Sequence, residues 1–428
     1  MWHKRTLTIA LLAAIALLAW VAAPALSLRP YVPAVESFER GLPDPKRLAL
    51  AHEHADEHEH GHEARFISPP VTAPHEFDLV GVASEMRHLE IRVRDSGGEW
   101  SDWVEQTDGT PVYVDGADEA QVRAPFRPSG ELHFVNVSGT AGGAGERLLN
   151  GVRAGINSAF ITLASTPVAE ALAPQPSVMP RSAWGADVPG SSCVPKGPPE
   201  FGSVRAGVIH HTVNANTYTA AEAPSIVLGI CSFHINANGW NDIGYNALVD
   251  RYGTLYEGRA GGLTGAVVGA QAQGFNSQTT SIASLGDHRA EAITPAARSA
   301  IVSFLAWRLQ TAGLRSVTKK SQLTSGGGSA NRYRSGTVVN LPRIIGHSDL
   351  GLTECPGGAL AAEVPGIRRD VQRLIKGGAR CSKPCRRCKR AKGAKRLKAC
   401  AQCKRCKRKA KSKRERSKRS AGAARYAR

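Results

Sequence analysis

Two segments of the 428-residue chain hold side chains that could hold a metal together. Val208-Ile209-His210-His211-Thr212 places two histidines directly after an apolar run of strand length. Gly346-His347-Ser348-Asp349-Leu350-Gly351-Leu352-Thr353-Glu354-Cys355-Pro356-Gly357 sets a histidine eight positions before a cysteine. A catalytic zinc site takes three protein donors and keeps a fourth position open, and imidazole and thiolate are suitable donors. A strand end holds a histidine ring so that it projects into a crevice, and the loop from His347 to Cys355 is short enough to fold back on one ion. His210, His347 and Cys355 are therefore a candidate His₂Cys set. Bland readings stand beside it: a surface histidine pair, and a buried structural thiol next to Pro356-Gly357. Spacing alone does not pair distant ligands.

The elements that must position these groups follow from composition and pattern. The hydrophobic fraction is 42 % and the charged fraction 21 %, which excludes wholesale disorder and a collagen-like fibre. The net charge of +19 is unevenly spread. Residues 377–428 carry 23 Lys/Arg against Glu415 alone, a balance of +22, and the rest of the chain stands at −3. A near-neutral body thus carries a cationic tail.

Met1–Arg5 supplies His3, Lys4 and Arg5, and Thr6 to Ala23 is nearly all apolar. With small residues at Ala23-Pro24-Ala25, residues 1–25 read as an export signal, an uncleaved anchor being the competing reading. Either places the remainder outside the cytoplasm, where disulfides are permitted. Of nine cysteines, six lie in the tail. Cys193 and Cys231 could form one disulfide, which leaves Cys355 odd in the count and suits a ligand role.

Residues 26–65 read as a linker, with His52, His54, His58, His60 and His62 among Asp and Glu, a weak metal-binding composition or simply a solvated stretch. Residues 66–164 read as a β-rich domain. Leu89, Ile91 and Val93 alternate with charged residues, and Trp100 and Trp103 follow a Gly97-Gly98 turn. A small sandwich with buried tryptophans is expected, and no catalytic constellation is visible there. Residues 165–178 are a Pro/Ala-rich boundary.

Residues 179–376 read as a mixed α/β domain, a central sheet flanked by helices. Thr219 with Glu222 is a capping box for one helix. Thr294-Pro295 opens a second, stopped at Gly313. Ile367, Val371, Leu374 and Ile375 mark a last one. Residues 324–336 are expected as a Gly/Ser-rich loop.

The ordered segments Pro180-Arg181-Ser182-Ala183-Trp184-Gly185-Ala186, Ile209–Thr212, Asp242-Ile243-Gly244-Tyr245-Asn246, Tyr256-Glu257-Gly258-Arg259 and Gly346–Gly357 resemble the peptidoglycan recognition proteins and the related zinc N-acetylmuramoyl-L-alanine amidases over about 180 residues. The Cys193/Cys231 pair and Asn238-Gly239-Trp240 resemble the long exported bacterial members, which also carry a β-rich N-terminal domain. The resemblance implies zinc on His210, His347 and Cys355, with Tyr245 as the catalytic tyrosine. It puts Thr353 beside the oxyanion, and His211 and Arg259 along the groove. The reaction implied is hydrolysis of the amide joining N-acetylmuramic acid to L-alanine in peptidoglycan. A peptidoglycan-binding module without catalysis is the alternative. Gly269-Ala270-Gln271 departs from the family's Gly-Ala-His, and Ile282-Ala283-Ser284-Leu285 is less apolar than the family's strand. Both departures bear on substrate preference.

The tail cannot bury a core and is expected to be disordered on its own. Its Cys385-x-x-Cys388 and Cys400-x-x-Cys403-x-x-Cys406 spacings fit disulfides in an exported protein or zinc knuckles. Its charge suits anionic wall polymers or a membrane surface, and the export signal argues against nucleic acid as the partner.

Overall fold

The computed structural model describes residues 35–48, 66–137 and 173–390, apart from 84, 85, 87, 96, 107, 108 and 214, together with residue 400. The export segment, the histidine tract, residues 138–172 and the basic tail after Arg390, apart from residue 400, lie outside the described residues. Among the described residues, no helix is long and apolar enough to cross a membrane.

The N-terminal unit is β1 (Glu36–Gly41), β2 (Lys46–Arg47), β3 (Phe66–Ile67), β4 (Val71–Val82), β5 (Glu90–Arg94), β6 (Val104–Glu105), β7 (Val112–Ala124) and β8 (Glu131–Asn136). They form one antiparallel sheet in the order β1-β8-β4-β7-β3-β2, with β5 also paired to β7 and β6 to β5. This corrects two expectations. The strands are joined by hydrogen bonds into a single sheet rather than two. Part of the segment read as linker is also strand: β1 runs along the whole of β8, from Glu36↔Asn136 to Gly41↔Glu131, and β2 pairs with β3. Glu36–Gly41 carries one large apolar residue, Phe38, whose ring stacks on Phe134 at 5.5 Å, so the strand exists through its partner and not through its own pattern.

Alternation divides the two faces of this sheet. Val80, Val82, Leu132 and Phe134 join Ile91 and Val122 in one core, while Leu79, Val135 and Val137 join another. Trp100 and Trp103 take neither place. The guanidinium groups of Arg92, Arg94 and Arg123 stand 4.5–4.7 Å over their rings, so these tryptophans are half-buried between cations and not in the core.

In the second unit, β9 (Ala206–His211), α1 (Ala223–Asn236), β10 (Ala247–Val249), β11 (Leu255–Glu257) and β12 (Thr279–Ser284) come first. They are followed by α2 (Pro295–Thr311), the hairpin β13 (Lys320–Thr324)–β14 (Val338–Pro342), β15 (Ile344–Gly346) and α3 (Gly358–Arg390). The central sheet runs β11-β10-β12-β9-β15, parallel except for β11. Ile209, Val249, Ile282 and Ile344 face α2 and α3, where Ile301, Phe304, Leu305, Ile367 and Val371 complete a core. Leu248 and Ala283 face the other way, toward α1, and Leu79, Val135 and Val137 of the N-terminal sheet close over the same core. The two units therefore share hydrophobic core across α1.

Helix ends follow local chemistry. Thr294 Oγ1 accepts from Ala297 N–H at 3.1 Å with Pro295 at the first helical position. The Thr219/Glu222 box forms, Glu222 accepting from Thr219 N–H at 2.7 Å, but it closes a turn and the regular helix starts only at Ala223. The last helix also runs past the expected boundary at 376, to Arg390. The loop expected over 324–336 joins β13 to β14, and Asn331 Nδ2 ties it to Gln273 O at 2.7 Å.

Candidate metal centre and active site

The C-terminal ends of adjacent parallel strands form the usual ligand crevice of an α/β sheet. β9 and β15 pair with Ile209 opposite Gly346, so His210 on β9 stands beside His347, the first residue after β15. Their ring centroids lie 4.5 Å apart. The loop after His347 turns back, with Ser348 N–H donating to Cys355 O at 2.7 Å. It brings Cys355 Sγ to 3.6 Å from His210 Nδ1. One donor atom from each of His210, His347 and Cys355 lies within 4.8 Å of the others, and all three residues are buried.

The geometry fits zinc. Bonds of about 2.05 Å to nitrogen and about 2.3 Å to sulfur, at the tetrahedral angle, put N and S about 3.6 Å apart. The tautomer fits as well. Thr279 Oγ1 donates to Phe275 O at 3.0 Å and so accepts from Gln271 Nε2 at 2.8 Å. Gln271 Oε1 is thereby turned to His210 Nε2 at 2.7 Å and must receive its proton. That leaves the Nδ1 lone pair of His210 facing Cys355. Burial, and then the nearby His347, hold the His210 imidazole well below its ordinary pKa, so it stays neutral and able to ligate.

Tyr245 stands beside this cluster, its ring 5.3 Å from that of His210. The segment carrying it is braced on every side. Gly244 N–H donates to His234 Nδ1 at 3.1 Å, and Arg259 N–H to Tyr245 O at 2.8 Å. Asn246 Oδ1 accepts from Ser281 N–H of β12 at 2.9 Å. A Cβ on Gly244 would stand 2.4 Å from Ala270 O, so no larger residue fits the close approach. Beneath it, Arg181 binds Asp187 and reaches Asp242 Oδ1 at 3.2 Å, and Asp242 accepts from Ile243 and Ala260 N–H. The Cys193–Cys231 disulfide is formed against the same carboxylate, with Cα atoms 5.6 Å apart. The pocket at the cluster is lined by Thr110, His210, Trp240, Tyr245, Ala270, Gln271, His347 and Cys355.

Residues 200–358 match the family model described as N-acetylmuramoyl-L-alanine amidase. Over 157 residues the chain is 31 % identical to peptidoglycan-recognition protein SC2 of Drosophila melanogaster, a stretch covering 37 % of this chain and 70 % of that protein. The chain belongs to this peptidoglycan-recognition and type 2 amidase family. The family match extends to an N-acetylmuramoyl-L-alanine amidase of Sus scrofa, 29 % identical over 209 residues, 46 % of this chain and 28 % of that protein. The solved Drosophila PGRP-LB structure is 27 % identical, with 44 % of this chain and 91 % of that one covered at a TM-score of 0.34.

Within this family domain, His210, His347, Cys355 and Tyr245 come together; of the other expected residues, His211 turns to the opposite face, and Arg259 and Thr353 bond to backbone beside the cluster. His211 shares the face of Ile209, opposite that of His210, because successive strand residues alternate. Its Nδ1 accepts from His288 N–H at 3.2 Å, and burial pushes its pKa down to about 3. Arg259 braces the backbone at Asp242 and Ile243, its Nη1 donating to their carbonyl oxygens at 3.4 and 3.2 Å. Thr353 Oγ1 accepts from Cys355 N–H at 3.1 Å, holding the backbone that carries Cys355. Gln271, read from sequence as bearing on substrate preference, lies against His210. Thr110, in a unit where no site residue was expected, reaches the pocket. Nothing in Asp108-Gly109-Thr110-Pro111 signals this, since the approach is made by packing of one unit on the other.

Proposed function

We propose that this chain is a zinc-dependent N-acetylmuramoyl-L-alanine amidase that cleaves the amide between N-acetylmuramic acid and L-alanine of peptidoglycan. The observation that carries the reading is the convergence of His210, His347 and Cys355 within 4.8 Å at the ends of β9 and β15, with Tyr245 alongside. A peptidoglycan-binding module has no need of such a donor set. Zinc held there supplies Lewis-acid polarisation of the amide carbonyl and acidifies water. His210 is presented as a neutral ligand by Gln271, and Thr353 fixes the backbone that carries Cys355. Tyr245 aims its hydroxyl where negative charge develops on the carbonyl oxygen, stabilising that charge from a braced position with little reorganisation.

We place the protein outside the cytoplasm. The apolar N-terminal segment and the Cys193–Cys231 disulfide support that address. The Lys/Arg-dense tail adds electrostatic retention on anionic wall polymers or lipid headgroups, weakened by salt.

The test is digestion of purified peptidoglycan with and without a chelator, followed by mass analysis of released stems. Free L-alanine N-termini that vanish on chelation and return with zinc are expected. Peptidoglycan bound but left intact at full zinc occupancy rejects the enzyme in favour of a recognition module.

A further inference from the structure

The N-terminal sheet reaches into the pocket of the family domain. Thr110 Oγ1 lies 2.8 Å from the hydroxyl of Tyr245, and the two residues are only 3 % and 5 % exposed. We propose that Thr110 is a positioning residue of the amidase site, supplied by the N-terminal sheet to orient the Tyr245 hydroxyl. The proposal rests on the amidase reading above and deepens it.

Thr110 is fixed from both sides. Before it, Gln106 is bound at both ends of its amide, accepting from Val82 N–H at 2.8 Å and donating to Val82 O at 2.9 Å. Gly109 has φ +70°, and its carbonyl accepts from Asn238 Nδ2 at 2.7 Å, just beyond the end of α1. That positive φ favours glycine, and a Cβ there would stand 2.7 Å from Asn238 Nδ2 and push the amide aside. After it, Pro111 restricts the Thr110 backbone to extended conformations. The sheet itself is seated by hydrophobic packing, Leu79, Val135 and Val137 sharing core with Ile226, Ile230 and Phe233 of α1. An interface of this kind holds its partners together and does not favour relative motion.

The arrangement has a chemical use. When Thr110 donates to the phenol oxygen, the O–H of Tyr245 is left to point at the reacting carbonyl oxygen. An ordered donor needs no rearrangement as charge develops there. The site is thus completed in cis by a unit outside the matched family segment 200–358.

The experiment compares Thr110→Val, Thr110→Ser, Tyr245→Phe and the double variant Thr110→Val/Tyr245→Phe in the full chain, by turnover of soluble muropeptide, zinc content and urea unfolding. Thr110→Val is expected to lower kcat about tenfold, the worth of one well-placed hydrogen bond, with KM and zinc content unchanged. Thr110→Ser restores turnover, and Thr110→Val has no further effect when Tyr245 is already phenylalanine. Wild-type kcat in Thr110→Val, or an equal loss in both backgrounds, overturns the proposal. So does a rise in activity, which marks the turn as a cover over the cleft. Should the wild-type chain cleave nothing, the amidase reading fails and the positioning role with it, and the unfolding cycle then shows separately whether the Thr110–Tyr245 contact itself exists.

Discussion

Gln271 Oε1 meets His210 Nε2 at 2.7 Å, on the ring nitrogen that does not face Cys355. The amide is itself oriented by Thr279, so a chain of three side chains dictates which nitrogen of His210 carries the proton. Partners of this kind typically contribute 10–100-fold to metal affinity.

Gln271→Leu is expected to weaken zinc binding by about 10–100-fold while the protein stays folded. Competition against a chromophoric chelator measures this directly. Affinity equal to wild type would show that His210 finds its tautomer without help.

Removing a donor acts differently from removing the phenol. Cys355→Ala and His347→Ala are each expected to abolish both stoichiometric zinc and hydrolysis. Tyr245→Phe keeps zinc at one equivalent and lowers kcat by about 100-fold, the loss typical of one charge-stabilising donor. Metal analysis beside a turnover assay separates the two classes, and full activity in Cys355→Ala would remove the mechanism.

His234 gives the stability curve an acid limb. The residue is fully buried, and burial pushes its pKa down to about 3 from 6.5, while its Nδ1 accepts from Gly244 N–H. Between those values the unfolded chain binds a proton that the folded chain does not. The stability present above pH 6.5 is therefore lost progressively as pH falls toward 3. By pH 4.5 the loss from this group is on the order of 2–3 kcal/mol. Urea unfolding of wild type and His234→Gln across this range should give a shallower acid slope in the variant. Identical slopes would show that His234 does not titrate this way.

The joint between the two units reverses an ordinary helix rule. Gly229 lies inside α1, where alanine would normally be favoured by about 1 kcal/mol. Here a Cβ would stand 2.5 Å from Val137 Cγ1 and 2.8 Å from Leu79 Cδ1. Gly229→Ala is expected to destabilise the chain by about 1–3 kcal/mol through overpacking. A raised midpoint in thermal unfolding would mean that the sheet does not seat on α1 as described.

The Cys193–Cys231 bridge spans 38 residues and lies against Asp242, which braces the Tyr245 segment. Chain entropy alone assigns a loop of this length about 4 kcal/mol. The double variant Cys193→Ala/Cys231→Ala should lose about that much stability and become indifferent to reductant, whereas unchanged stability would deny the bridge a structural role.

Joining His210 to His347 and Cys355 came from the family resemblance and not from spacing. Each candidate donor by itself was legible in the chain because it is local: a histidine closing an apolar run, and a histidine and cysteine flanking one short loop. Thr294-Pro295 and the Leu89/Ile91/Val93 alternation were legible for the same reason, since caps and period-2 strands depend on near neighbours. β1 was not. Its one large apolar residue, Phe38, acquires meaning only when Phe134 is stacked upon it. The reach of α3 to Arg390 also escaped, because the Lys/Arg-rich composition after residue 376 reads as solvated chain whatever its backbone does.

The order of residues by itself determined which chemistry was available: three metal donors, a tyrosine between them, a pair of cysteines and a cationic tail. Strand alternation puts His210 and His211 on opposite faces of β9, and tertiary structure decided which of those faces meets His347 and Cys355. It alone set Gln271 against His210 and carried Thr110 to Tyr245, across 61 and 135 positions of chain. Contacts at such separations come from burying apolar faces on one another, a force without direction or local signature, and polar groups brought along by that packing leave no mark in the sequence around them.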